Sequence, residues 1–390
     1  MFYQSGFAMV LAWRQLFHEK SKAITALLGV MFAALLVFMQ LGFRDSLFQS
    51  AANLPHHLQG DLFVVHPQTA VLFQGLSFPK HELLRTYAHP DVVDTTSVML
   101  GVARWQNPDN KDLHTILVIG IEPSKPVICD LNPQDVSPLL HVRDTVLYDT
   151  LSKPDFGPIV SWLSQGRKVK VDINQSRVQV VGTMTLGASF AATGNLLTSQ
   201  HTFCHSLIPS HPSHLVHIGI IKLDPKADVV KAKQDIQKML DRRCQVLDKQ
   251  ELINNEQNYW KKRTSIGFTF GMGVAIGLVV GMVIVYQILY NDVRQRFAEY
   301  ATLRSMGYSQ GYLMMVVLTS AWWLAFFGFV PGVLSSKLLY AWASSKTGLP
   351  MIMTWSTIWG VWWLIFGMCV IAGWMAARQL KHIHPTRLFG

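Results

Sequence analysis

Residues 291–312 read NDVRQRFAEYATLRSMGYSQGY, a compact polar segment held between two long apolar runs. Arg294, Arg296, Glu299 and Arg304 alternate with Phe297, Tyr300, Leu303 and Met306. On a helix the apolar members recur every third residue along one stripe, and the charges take the other side. Gly307 follows as a C′ glycine, with Arg304 in the last turn, where a cation suits the helix dipole. Pattern alone allows such a helix to lie on lipid, to fit a groove in a soluble partner, or to serve as a solvated connector.

The chain around it has 390 residues, 50% hydrophobic, with 12 Trp, too apolar for an ordinary soluble domain. Stretches 23–43, 264–291, 305–336 and 347–377 contain no Asp, Glu, Lys or Arg. Each is long enough for the roughly 20 residues that span a bilayer, so four spans are expected. The first is too long for the core of a signal peptide and lacks a small-residue cleavage site. Arg14, Lys20 and Lys22 precede it, Arg294, Arg296 and Arg304 lie between the second and third spans, and Arg378, Lys381 and Arg387 follow the fourth. The positive-inside rule then puts both termini and 291–312 in the cytoplasm, and 44–263 outside. The net charge of +10 is read as topology, since no nucleic-acid module is recognisable and nucleic acid is not an expected partner.

Residues 1–22 mix Trp13 and Phe17 with Arg14, His18, Glu19 and Lys20, an amphipathic lead-in for the inner interface. Gln40, deep in the first span, suits an interhelical hydrogen bond. The external segment alternates apolar runs with turn residues, which predicts strands at 61–66, 113–121, 168–173, 178–181 and 216–223. Asp224-Pro225 then opens a helix to about Leu240, and 244–247 is the next strand. Strand, helix and strand at this spacing form a βαβ unit, so the domain is α+β with at least one parallel pairing. Residues 251–263 read as a helical stalk continuous with the second span, with Trp260 at the outer interface. Within that span Gly273, Gly277 and Gly281 place small residues on one face, available to a neighbouring helix of the same chain or of a second copy.

Several features carry no chemistry. Cys129, Cys204 and Cys244 lie outside and allow one disulfide, with the pairing open, and Cys369 lies in the fourth span. His201, Cys204, His205, His211, His214 and His217 crowd one stretch, but Pro209 and Pro212 break the backbone a helical metal site needs, so a polar loop without metal is expected. The segment 186–199, LGASFAATGNLLTS, reads as a flexible tip. No G-x-x-x-x-G-K-[ST], H-E-x-x-H or G-x-S-x-G occurs, and no paired carboxylates lie in a span. The chain is therefore read as neither an enzyme nor an ion-coupled carrier, with no catalytic residue.

One span, a large external domain, and three further spans with a short cytoplasmic helix between the second and third resemble the MacB/FtsX-like, or type VII, permeases of ABC transporters. RQRFAEYATLRSMGYS resembles that family's coupling-helix signature, and the tail AARQLKHIHPTRLFG resembles its Arg…Pro…Leu ending. LAWRQLFHEKSKAITALLGV, MQLGFRDSLFQSA, LQGDLFVVHPQT, VYQILYNDV and EYATLRSMGYS are similar to the DevC subfamily. The fold so implied is an α-helical membrane protein with four transmembrane helices plus a large α+β extracytoplasmic domain between the first and second. The expected parts are a cytoplasmic lead-in 1–22, spans 23–43, 264–290, 311–340 and 353–377, a periplasmic domain with stalk 44–263, a coupling helix 291–310, a periplasmic loop 341–352 and a cytoplasmic tail 378–390.

The resemblance further implies a multi-pass protein of the bacterial inner membrane that works as a homodimer with a separate DevA-like ATPase, where ATP and Mg would be bound. A DevB-like membrane-fusion adaptor, a TolC-like outer-membrane duct and membrane lipid complete the expected partners. Glu299, Leu303, Arg304 and Gly307 would dock the ATPase, supported by Arg378 and Pro385. The implied activity is mechanotransmission, driving export of a lipid-like envelope molecule such as a glycolipid. An FtsX-like signalling relay to a periplasmic partner and a LolCDE-like lipoprotein release system remain open alternatives. His18 and the histidine-rich stretch match nothing in the family pattern.

Overall fold

The computed structural model describes residues 20–187, 189 and 192–378. The helices that carry the architecture are α1 (Lys20–Ala51), α2 (Val229–Leu240), α3 (Lys249–Lys262), α4 (Ser265–Gln295), α5 (Phe297–Ser305), α6 (Gln310–Thr347) and α7 (Trp355–Ala377). The chain divides into two compact units, one comprising Ser46–Ser265 with Gly348–Pro350 and the other the remaining residues. Each encloses its own apolar core.

Among the described residues of the membrane unit, α1, α4, α6 and α7 are the four helices long and apolar enough to cross a bilayer. Lipid supplies no hydrophobic drive for helices to associate, so contact depends on close approach at small residues. On α6 a Cβ added at Gly328 would sit 2.5 Å from Val30 Cβ, and one at Gly332 2.9 Å from Ala34 Cβ, so α1 and α6 meet nearly backbone to backbone. The glycine face of α4 is filled from the same chain. Gly273 lies against the Gln40 amide, Gly277 against Leu36, and Gly281 against Ala33 and the Met368 thioether. These contacts leave that stripe no room for a second copy. Tyr340 donates its hydroxyl to the Phe38 carbonyl, which satisfies a polar group that burial would otherwise penalise.

Two helix limits differ from the sequence reading. The helix of the first span does not stop at Arg44-Asp45 but runs to Ala51. Arg44 and Asp45 pair at 2.7 Å and offset each other's charge. The stalk is not continuous with the second span either. α3 ends at Lys262, α4 starts at Ser265, and the Thr264 hydroxyl donates to the Trp260 carbonyl at 2.5 Å, competing with the backbone bond that would have carried the helix on. The start of α3 is fixed by a capping box, in which Asp248 accepts from the Glu251 N–H and Glu251 from the Asp248 N–H.

In the external unit the strands are β1 (Leu62–Val65), β2 (Phe78–Pro79), β3 (Val92–Gln106), β4 (Leu113–Ile121), β5 (Thr145–Asp149), β6 (Val169–Ile173), β7 (Ser176–Met184), β8 (Asn195–Ser199), β9 (Leu215–Val216), β10 (Ile218–Leu223) and β11 (Gln245–Asp248). Their order is β11-β1-β10-β3-β4-β8-β5-β7-β6, with β6 returning to β3, and β2 pairs separately with β9. The first half of β3 extends a four-stranded sheet through β10, while its second half closes a barrel through β4 and, at Trp105 and Gln106, through β6. Trp105, fully buried, packs inside between Tyr148 and Phe156 and donates its indole N–H to the Phe156 carbonyl.

The expected βαβ unit is present in split form, because β10 and β11 run parallel with β1 antiparallel between them. Direct parallel pairs occur at β4–β8 and β5–β7. α2 starts at Val229, not at Pro225. Asp224 accepts from Lys226 N–H in a turn, and Asp228 takes the capping role by accepting from Val230 and Lys231. Part of the expected flexible tip is β8, which is buried throughout between β4 and β5. Asp149, fully buried, anchors its approach by accepting from the N–H groups of Leu151, Leu186 and Gly187 and from the Asn195 amide. The four cysteines are free thiols, with Cys129 exposed and Cys204 and Cys244 buried, so no pairing forms.

Glu256 on α3 is 4% exposed and accepts from Leu72 N–H at 3.0 Å. Burial pushes its pKa from 4.5 up to about 7. The folded chain therefore holds a proton that the unfolded chain releases, and stability falls as pH rises through this window. The loss should reach about 3 kcal/mol above it. Thermal unfolding of the full chain in detergent, run from about pH 5 to about pH 8, should show a fall in wild type that Glu256→Gln removes. Parallel curves for the two proteins would contradict the burial argument. In the membrane unit, Gly328→Leu should cost about 3 kcal/mol or more through overpacking against Val30, whereas Gly360→Leu, with nothing within 4 Å, should fold normally. Equal yields of folded protein from the two variants would refute the close packing of α1 on α6.

Candidate partner-docking site

The site is built on α5, which follows α4 after a single non-helical residue, Arg296. Arg296 is held by Asp292 at 2.9 Å and lies 3.8 Å from Glu299, so the corner between the two helices carries a small ion-pair network. The far end closes as a Schellman motif. Gly307 adopts φ +93°, Tyr308 N–H donates to the Leu303 carbonyl and Gly307 N–H to the Arg304 carbonyl. A side chain at 307 would have to adopt the left-handed region, so glycine here fixes where the helix stops.

The two faces of α5 have different fates. Tyr300 and Ala301 are buried with Val293, Leu313, Val316, Val317 and Ala377, and Phe297, Leu303 and Tyr308 pack against that cluster. The apolar stripe is thus consumed within the chain by α4, α6 and α7. Met306, placed on the same stripe by its spacing, is instead 70% exposed, because it is the C-cap and the helical geometry ends before it. The outer face presents Ala298, Glu299, Thr302, Ser305 and Met306. Arg304 is half-buried, and its Nη1 is buried without a hydrogen-bond partner.

Of the residues singled out in the sequence, Glu299 and Gly307 are exposed, Leu303 is half-buried beneath them, and Arg304 sits at the edge between the two faces. Arg378 stacks its guanidinium 3.7 Å from the Trp374 ring of its own helix, next to Ala377 of the cluster. Pro385 lies outside the described residues, as do residues 1–19 of the lead-in. Thr302 and Ser305 are the outer-face residues that the sequence reading misses, although the spacing of three and four residues from Glu299 and Ala298 to Thr302, and of three more to Ser305, is readable in the sequence.

The histidine-rich stretch forms no comparable site. Among the described residues no group of three or more His, Cys, Asp or Glu is placed to hold a metal ion. His211 and His217 stack with ring centroids 4.8 Å apart, and His217 Nδ1 accepts from Leu100 N–H. Burial pushes His217 down to about 4 and lowers His211 as well, so the pair is neutral near pH 7.

Residues 271–385 match the family model described as FtsX-like permease C-terminal, a segment that contains all of α5 together with Arg378 and Pro385. No curated protein matches the chain. Among solved structures, the periplasmic region of MacB from Actinobacillus actinomycetemcomitans matches at 10% identity over 54% of this chain and 98% of its own, with a TM-score of 0.36. The extracellular domain of the noncanonic ABC-type transporter YknZ from Gram-positive bacteria matches at 10% identity over 48% of this chain and 99% of its own, with a TM-score of 0.33. The chain thus joins four apolar helices, with a large domain between the first and second, to a segment that holds α5 and is similar to the FtsX-like permease C-terminal family.

Proposed function

We propose that this chain is the membrane subunit of an ABC exporter in which α5 receives a separate nucleotide-hydrolysing subunit. The observation that carries the reading is the division of α5. Its apolar stripe is sealed inside the chain, while Ala298, Glu299, Thr302 and Ser305 are left exposed at the outer face. A face of this composition suits a soluble partner better than acyl chains, since a lipid-lying helix needs its apolar stripe free. The partner would be a DevA-like ATPase that binds ATP and Mg, and the permease itself would carry no catalytic residue.

Two permease copies with two ATPase subunits would bring their α5 helices together when ATP closes the cassettes. Arg296, tied to Asp292 on α4 and to Glu299 on α5, would pass that displacement into α4, whose other end is joined by Arg263 and Thr264 to the stalk α3. The output would be motion of the external domain, coupled through a DevB-like adaptor to a TolC-like duct. The cargo would be a lipid-like envelope molecule of the glycolipid type.

Co-expression with the cognate ATPase should recover a complex from detergent-solubilised membranes, and the charge reversals Glu299→Lys and Arg304→Glu together should lower recovery about tenfold. Unchanged recovery and unchanged ATPase activity would sink the docking assignment. For the cargo, a deletion strain should retain in its inner membrane a lipid class that wild type moves outward. Identical envelope lipid profiles in the two strains would remove lipid export from the reading.

A further inference from the structure

The external unit holds a cleft of about 460 Å³ between the turn at 67–70 and the last two turns of α3. Its walls include Thr69, Asn255, Asn258, Tyr259, Lys262 and Arg263, and none of its lining residues is acidic. The turn is held in shape from within, since Thr69 N–H donates to the His66 carbonyl and Gln68 N–H to His66 Nδ1. The Thr69 hydroxyl is buried with no hydrogen-bond partner. An orphan donor of this kind costs free energy unless something occupies the space beside it.

The electrostatics are one-signed. The C-terminus of α3 contributes roughly half a negative charge, which Lys262 and Arg263 outweigh with two positive ones. Glu256, on the same helix, faces away into a separate apolar crevice with Leu54, Leu72 and Leu186. Lys261 is engaged elsewhere, 5.6 Å from the Phe48 ring. In the sequence these three cations directly precede α4, on the side to which the positive-inside rule assigns few of them. A cation that merely anchors a span needs no cleft, no fixed turn and no orphan hydroxyl beside it.

We infer that this cleft binds a phosphate ester, supplied by the headgroup of an anionic membrane lipid. Arg263 and Lys262 would take the phosphate oxygens, the Thr69 hydroxyl and the Asn255 and Asn258 amides the remaining oxygens, with the Tyr259 ring as one wall. Ser265, two residues after Arg263, begins a helix long and apolar enough to cross a bilayer, so chain connectivity alone keeps Lys262 and Arg263 within a few residues of that span. The inference does not depend on α5 docking an ATPase or on the nature of the cargo.

The test uses the full chain in detergent, titrated with phosphatidylglycerol or phosphatidylcholine, with retained lipid counted by native mass spectrometry. Wild type should retain phosphatidylglycerol, and Lys262→Gln with Arg263→Gln should weaken that retention about tenfold or more. Thr69→Val and Asn258→Leu leave the charge unchanged and should weaken it as well, whereas Lys261→Gln removes an equal charge outside the cleft and should not. Equal loss in Lys261→Gln and Lys262→Gln, with Thr69→Val unaffected, would overturn the cleft in favour of diffuse attraction. Inorganic phosphate supplies the second arm. Should it bind wild type and not Thr69→Val while phosphatidylglycerol is not retained, the ligand would be a soluble phosphate and the lipid source would be overturned.

Discussion

The burial of Tyr300 against Leu313, Val316, Val317 and Ala377 is the contact on which α5 and the helix ends around it depend. A nine-residue helix such as α5 is too short to persist by itself in water, so its existence rests on the face it buries. That burial also decides which residues remain outside. With Phe297, Tyr300 and Leu303 turned inward, Glu299, Thr302 and Ser305 stay on the exposed face, and the glycine turn at 307 directs the backbone into α6. The same cluster includes Val293 from α4 and Ala377 from α7, so displacement of α5 must be shared with those helices.

Elsewhere in the membrane unit the cohesion comes from shape. Gly328 and Gly332 admit Val30 and Ala34, and Gly273, Gly277 and Gly281 admit Gln40, Leu36 and Ala33, so α1 is gripped from both sides by helices that lack side chains where it passes. In a medium as apolar as the side chains themselves, such interdigitation and the occasional hydrogen bond, as from Tyr340 to Phe38, hold the helices together. α4 keeps Phe268, Met272, Ile276 and Val283 on its other side, outside this packing.

Local features were legible in the sequence and non-local ones were not. The strands at 61–66 and 113–121 stood out because short apolar runs are bounded by turn residues, and the end of α5 because only glycine suits its left-handed turn. β3 escaped notice because its first half carries Asp94, Thr95, Thr96 and Ser97, polar groups that the sheet tolerates through partners such as Tyr87 and Glu122. β8 was hidden in a run of small residues, and it is the buried carboxylate of Asp149, 46 positions from Asn195, that fixes its approach. Barrel closure from Trp105 to Ile173 has no local signature. The apolar stripe of α5 is visible as a pattern, but what covers it is not, since part of the cover comes from α7, far along the chain, and the fold of α4 and α6 back over α5 has no local signature.

The most direct measurement is the accessibility of the outer face of α5. A single cysteine in place of Thr302, with the exposed Cys129 replaced by serine, can be probed with a membrane-impermeant maleimide in right-side-out and inverted vesicles. The account predicts labelling in inverted vesicles alone, and protection when the purified cognate ATPase is added with ATP. Labelling from the external side, or labelling that the ATPase leaves unchanged, would contradict it.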